Sequence, residues 1–156
     1  MSEPSFNFKN IWLADDDPDD VEIFEGALFN ILPDAQLTVF PSGEELIKNL
    51  TKKQLGDLLI LDLNMPGADG FHCLKEIRET LQLRRLPVIV YTSSPHDADV
   101  IKSYGLGANL YIKKPSSYGD IKATISKVLA MNWNDPHEIT SQMFVNGKYI
   151  PFKLAV

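Results

Sequence analysis

The chain of 156 residues has one cysteine, Cys73, so no disulfide can close within it. A lone thiol fits a reducing compartment. No apolar run approaches the ~18 residues that a membrane helix needs. Met1 to Lys9 also lacks the basic stretch followed by an apolar run that marks a secretion signal. The expected location is therefore the cytoplasm, without membrane contact. Basic clusters are scarce too. Only Lys52-Lys53, Arg84-Arg85 and Lys113-Lys114 bring cations together, and the formal charge is −6. Phosphate backbones reward clustered Lys and Arg, so direct nucleic-acid binding is not expected. The three histidines, His72, His96 and His137, have no metal-ligand spacing and read as surface residues.

What the chain has is an ordinary globular balance, 44% hydrophobic and 23% charged, in a length suited to one domain. Five short apolar runs recur: Ile11 to Ala14, Leu37 to Phe40, Leu58 to Leu61, Val88 to Tyr91 and Leu110 to Ile112. They are apolar on consecutive positions, as in strands covered on both faces. Helical segments lie between them. Asp17 is placed to cap the first, with Pro18 at its first position and Asp19 and Asp20 in the first turn, where the helix dipole favours anions. Val21, Phe24, Leu28 and Ile31 make its buried stripe. Ser42 and Glu45 have capping-box spacing. Phe71, Leu74 and Ile77 line a third helix, with Cys73 as a small buried hydrophobe. Ser94-Pro95 is expected to open a fourth, bearing Val100, Ile101 and Tyr104. Ser117 and Asp120 open a fifth, which carries Ile121, Ile125 and Val128.

This alternation predicts an α/β fold, a doubly wound five-stranded parallel sheet with five helices. Residues 1–130 form that unit. Residues 131–156 fall outside the pattern and form a C-terminal extension, in which Asn146-Gly147 marks a hairpin; no separate output domain is expected. Phe144, Val145, Tyr149, Ile150 and Phe152 are too apolar to remain in water. Two outcomes are open: docking on the chain's own domain, which the early Pro136 favours, or pairing with a second copy.

In a doubly wound sheet, ligands sit beyond the carboxyl ends of the strands. Strand one ends in Asp15-Asp16-Asp17, strand three in Asp62-Leu63-Asn64, strand four in Thr92 and strand five in Lys113-Lys114-Pro115. Five of the six positions from Asp15 to Asp20 are Asp. Carboxylates gathered closely need a hard cation or a proton to coexist, and Mg²⁺ suits carboxylates together with phosphate oxygens. A carboxylate can also act as a nucleophile toward phosphorus. Asp62 can attack, a metal can hold one oxygen, Thr92 can donate to a second and Lys114 can pair with a third. An EF-hand reading of the acidic run fails on spacing, because position six is Asp20 and position twelve is Gly26.

The motifs IWLADDDPDD, LLILDLNMPGADG, PVIVYTSS and IKKP stand in the order and approximate spacing of one family. Over residues 9–130 the chain resembles bacterial two-component response regulators, as a stand-alone, chemotaxis-regulator-like receiver domain with the flavodoxin-like fold. The resemblance implies a phospho-accepting switch that catalyses only its own phosphorylation and dephosphorylation. By it, Asp62 is the phosphoacceptor, Asp16 the principal metal carboxylate with Asp15 acting largely through water, and Asn64 the donor of a backbone carbonyl to Mg²⁺. Thr92 is the switch hydroxyl, Lys114 the phosphate-pairing lysine and Tyr111 the aromatic switch. A cis bond before Pro115 is also implied. The implied partners are a sensor histidine kinase or phosphotransfer protein and an unknown downstream protein, with the chain a monomer or weak homodimer. Asp15-Asp16 stands where many relatives have Glu-Asp, a mild difference.

Two other classes fit less well. A haloacid-dehalogenase-like hydrolase calls for Asp-x-Asp after the first strand, whereas the third strand here ends in Asp62-Leu63-Asn64. A flavodoxin-like FMN protein calls for hydroxyls and amides in its first loop, and this loop carries three carboxylates.

Overall fold

The computed structural model describes residues 8–51 and 55–154. The Lys52-Lys53 pair lies outside the described residues. Five strands, β1 (Asn10–Ala14), β2 (Gln36–Phe40), β3 (Leu58–Leu61), β4 (Val88–Thr92) and β5 (Leu110–Lys113), form one parallel sheet in the order β2-β1-β3-β4-β5. The chain steps from β1 outward to β2 and returns to the other side of β1 as β3. The order therefore reverses between β1 and β3, which is where such sheets bind ligands. The four strands other than β2 are buried along almost their whole length.

Alternating residues of each strand divide the core into two layers. Ile11, Leu13, Leu58, Ile60, Ile89 and Ile112 face α1 (Pro18–Ile31) and α5 (Tyr118–Leu129). Trp12, Leu59, Leu61, Val88, Val90 and Tyr111 face α2 (Gly43–Asn49), α3 (Gly70–Glu79) and α4 (Asp97–Gly105). The caps largely follow the chemistry of the sequence. The Asp17 carboxylate accepts from the N–H groups of Asp19 and Asp20, and Ser42 and Ser117 accept from Glu45 and Asp120. Cys73 is fully buried on α3, and its thiol is pushed up to about 12 by burial. His72, His96 and His137 are all exposed.

The fourth helix departs from expectation. It starts at Asp97 with His96 at the cap, and no side chain caps it. The Ser94 hydroxyl is engaged with the Asp99 carboxylate instead. Ile101 is half exposed while Val100 and Tyr104 are buried.

Among the described residues Arg78 on α3 has no carboxylate partner, and it acts as a clasp. Its guanidinium donates to the carbonyls of Leu83, Leu86 and Gly107 and to the Asn109 side chain, at 2.8–3.1 Å. The same Asn109 oxygen accepts from the Val88 N–H. One planar fork thus ties the ends leading into β4 and β5.

The extension adds a sixth helix, α6 (Pro136–Gln142), capped by Asp135, and a hairpin of β6 (Phe144–Val145) and β7 (Lys148–Tyr149). Asn146 and Gly147 both have positive φ, 53° and 82°, as a tight hairpin turn requires. The segment docks on its own domain. Ile139 is buried in the α1/α5 layer, Tyr149 stacks on Tyr104 at 4.7 Å, and the Thr140 hydroxyl donates to the Asn109 carbonyl. The Tyr104 hydroxyl donates to the Ile150 carbonyl and accepts from the Tyr111 N–H, while the Phe152 N–H donates to the Tyr111 carbonyl. These bonds occupy the outer edge of β5, which would otherwise be an open strand edge. Phe144 remains 52% exposed and Val145 39%, so docking covers the extension only in part.

A chain ending at Met131 loses the buried Ile139 and the Tyr104–Tyr149 stack. It is expected to remain folded and to melt ~5–10 °C lower than the full chain; equal melting temperatures would show that docking contributes no stability. Arg78→Met removes the donor from the part-buried Leu86 and Gly107 carbonyls and is expected to cost about 3 kcal/mol in urea unfolding.

Candidate functional site

Three charged residues occupy the first position beyond a strand, where the backbone ladder still holds them. The Asp15 N–H donates to the Phe40 carbonyl at 3.1 Å, the Asp62 N–H to Ala14 at 2.9 Å and the Lys114 N–H to Thr92 at 2.8 Å. The sheet thereby fixes the backbone under the side chains at the β1/β3 switch point. The loop after Asp62 doubles back tightly into α3. A Cβ on Gly70 would lie 2.4 Å from the Asp62 carbonyl oxygen, so only glycine fits that crossing. Gly67 adopts φ +75°, the turn that carries the chain past Pro66.

Asp15 and Asp62 are buried, Asp16 is exposed, and carboxylate oxygens of the three lie within 4.8 Å of one another. The set is all hard oxygen, concentrated and anionic, and suits Mg²⁺ or a similar divalent cation. The Lys114 ammonium enters the same space. It donates to Asp15 Oδ2 at 2.9 Å, Asp20 Oδ2 at 2.8 Å and Asp62 Oδ2 at 3.1 Å. It also lies 5.7 Å from the centre of the Tyr91 ring, within cation–π range.

The electrostatics follow from burial. Burial raises the Asp15 carboxyl above its usual range, and hydrogen bonds from Lys114 and from the Asp17 N–H only partly offset that. Burial opposes the charge of Lys114 as well. Hydrogen bonds to Asp15 and Asp20 and the charge of Asp62 outweigh it, so the ammonium titrates above an ordinary lysine. The neighbouring Tyr91 phenol is pushed up to about 12 by burial.

Thr92 is fully buried at the end of β4, and its hydroxyl accepts from the Asn64 side-chain amide at 3.4 Å. The Asn64 N–H points back to Asp62 Oδ1 at 3.3 Å. The Tyr111 ring is 1% exposed and its hydroxyl donates to the Ser94 carbonyl, so the ring is turned into the protein. The structure thus gathers Asp15, Asp16, Asp62, Asn64, Thr92 and Lys114 at one edge of the sheet, with Tyr111 one element behind. One expectation is corrected: the Lys114–Pro115 bond is trans. The two isomers of an X–Pro bond differ by only ~1 kcal/mol, so residue identity leaves the choice to context.

Sequence reasoning missed Asp20, which reads as a first-turn dipole residue and here binds Lys114. The available signal was geometric. A helix beginning four residues after the end of β1 must overhang the strand end with its first turn. Ser94 was also missed in its real role, joining the Tyr111 hydroxyl to Asp99 through its carbonyl and its side chain.

The family model of the response regulator receiver domain matches residues 11–126. The chain belongs to that family. It is a receiver domain, the phosphoryl-accepting switch of a two-component response regulator. It is 33% identical over 129 residues to response regulator Rcp1 of Synechocystis sp., covering 78% of this chain and 86% of that protein. It is also 33% identical over 144 residues to response regulator GtcR of Aneurinibacillus migulanus, covering 90% of this chain but 57% of GtcR. The phosphorylated cyanobacterial phytochrome response regulator RcpA superposes with a TM-score of 0.71 at 28% identity, over 77% of this chain and 90% of that one. The Mn²⁺-bound form of Rcp1 gives 0.71 at 30% identity, over 77% and 91%. No helix among the described residues is long and apolar enough to cross a membrane.

Lys114→Met removes the cation shared by three carboxylates. In EDTA the variant is expected to lose about 3 kcal/mol of stability, and millimolar Mg²⁺ should restore most of it. Unchanged urea midpoints in EDTA would mean that the carboxylates are solvated rather than paired.

Proposed function

We propose that this receiver domain takes a phosphoryl group on Asp62 from a sensor histidine kinase or phosphotransfer protein. The observation that carries the proposal is the buried Asp62 carboxylate lying within 4.8 Å of the Asp15 and Asp16 carboxylates and 3.1 Å from the Lys114 ammonium. In the step, an Asp62 oxygen attacks phosphorus, the new O–P bond forms as the P–N bond to the donor imidazole breaks, and the imidazole leaves. Asp15, Asp16 and Asp62, with the Asn64 backbone carbonyl, would hold Mg²⁺, which neutralises charge on the phosphoryl oxygens when bound. Lys114 pairs with a phosphoryl oxygen and Thr92 donates its hydroxyl to another.

The switch then works through packing. Once Thr92 turns toward the phosphoryl group it gives up the Asn64 amide, and Tyr111, which faces the same core layer, changes rotamer and releases Ser94. Such a chain catalyses only its own phosphorylation and dephosphorylation. Its message passes by protein–protein contact to an unknown downstream partner, in the cytoplasm and without direct nucleic-acid binding. The receiver unit spans 1–130, residues 131–156 are an accessory extension, and the chain is a monomer or weak homodimer.

Acetyl phosphate with Mg²⁺ is expected to add one phosphoryl group, stable in acid and labile in base. Asp62→Asn should lower the labelling at least ~100-fold, because an amide is not a nucleophile here. Equal labelling of the Asn variant would place the phosphoacceptor elsewhere.

A further inference from the structure

The Lys114 ammonium has three protons to donate, and in this structure all three have a carboxylate acceptor. Two of those acceptors, Asp15 and Asp62, belong to the group that can hold a metal ion. Asp20 does not. A divalent cation among Asp15, Asp16 and Asp62 takes over their lone pairs and repels the ammonium at the same time. Lys114 then keeps only one of its present partners, Asp20. Phosphorylation removes a further partner, because Asp62 as an acyl phosphate no longer offers the lysine a free carboxylate and leaves it only a phosphoryl oxygen there.

Asp20 is placed for that task. It sits in the first turn of α1, whose start is pinned by the Asp17 cap; the Asp20 N–H donates to the Asp17 carboxylate at 3.4 Å. The side chain is 36% exposed, so its charge is less costly to maintain than that of buried Asp15. Its contact with Lys114, at 2.8 Å, is the shortest of the three. Asp19, one residue earlier in the same turn, is exposed and offers the same charge to the helix dipole. Dipole chemistry alone therefore does not distinguish the two residues, whereas the lysine does.

We infer that Asp20 is a positioning residue of the phosphoryl-transfer site, the carboxylate that retains Lys114 when Mg²⁺ claims Asp15 and Asp62. This rests on the function proposed above. Asp20 touches neither metal nor phosphoryl group and acts through the lysine. Without it, an unanchored ammonium competes with the cation for Asp15 and Asp62, and Mg²⁺ binds less tightly.

The test is a double-mutant cycle read by calorimetric titration of the full chain with MgCl₂ alone, so phosphorylation plays no part in the readout. With Lys114 present, Asp20→Asn is expected to weaken Mg²⁺ binding ~5-fold, and Asp19→Asn, the charge-matched control, less than ~2-fold. In a Lys114→Met background the Asp20→Asn effect should shrink to the size of the Asp19→Asn effect, since there is no lysine left to hold. Asp20→Glu, which keeps the charge, should recover part of the affinity. An Asp20→Asn loss that persists undiminished without Lys114 would overturn the inference in favour of a through-space charge effect. Equal losses from Asp19→Asn and Asp20→Asn with Lys114 present would overturn it as well. If the unaltered protein binds no Mg²⁺ while Asp62 still takes phosphate from acetyl phosphate, the metal assignment and the role of Asp20 fall together and the phosphoacceptor stands.

Discussion

Carboxylates on two neighbouring buried strand ends repel one another, and every feature of the site answers that repulsion. Asp15 and Asp62 are each almost fully buried, and they are held close by adjacent parallel strands whose hydrogen bonds extend one residue past the sheet. The sheet cannot separate them without breaking that ladder. The ammonium of Lys114, delivered by β5, neutralises part of the charge. The remaining negative charge is what makes the space attractive to a divalent cation and, through it, to a phosphoryl group. Removing the repulsion with neutral side chains would make a more comfortable sheet end and a chemically inert one.

The rest of the fold supports that strained arrangement. Consecutive apolar residues on β1, β3, β4 and β5 bury both faces of the sheet, so the strand ends are rigid where the charges sit. Arg78 ties the chain segments that enter β4 and β5, the strands that carry Thr92, Tyr111 and Lys114. Gly70 lets the loop after Asp62 cross close to its own backbone. Behind the charges lie the buried Tyr111 ring, the Ser94 loop that accepts its hydroxyl, and α4. The C-terminal extension is bonded to both backbone groups of Tyr111, directly through Phe152 and by way of Tyr104. The extension is thus bonded to both β5 and α4.

Most of the site was legible in the chain order because the parallel α/β pattern assigns a strand end to each motif before any distance is known. Asp15, Asp62 and Thr92 each follow an apolar run directly, and Asp16 and Lys114 stand one residue further on. Asp17, Ser42 and Ser117 cap their helices as their side-chain chemistry dictates. Ser94 did not behave likewise: its hydroxyl donates to the Asp99 carboxylate, and the helix begins beyond it at Asp97 with no side-chain cap.

The sequence by itself determined the alternation of strands and helices, the hairpin at Asn146-Gly147 and the identity of the residues at the strand ends, since each depends on neighbours within a few positions. Only the tertiary structure decided that Asp20 rather than Asp19 meets Lys114, because that depends on how α1 lies over the sheet. It likewise set the Lys114–Pro115 bond as trans, a choice between nearly equal isomers. It also laid residues 132–154 against the β5 edge of their own domain. An apolar segment specifies that it must be buried, not against what; the open edge of β5 and the Tyr104 ring supplied the surface.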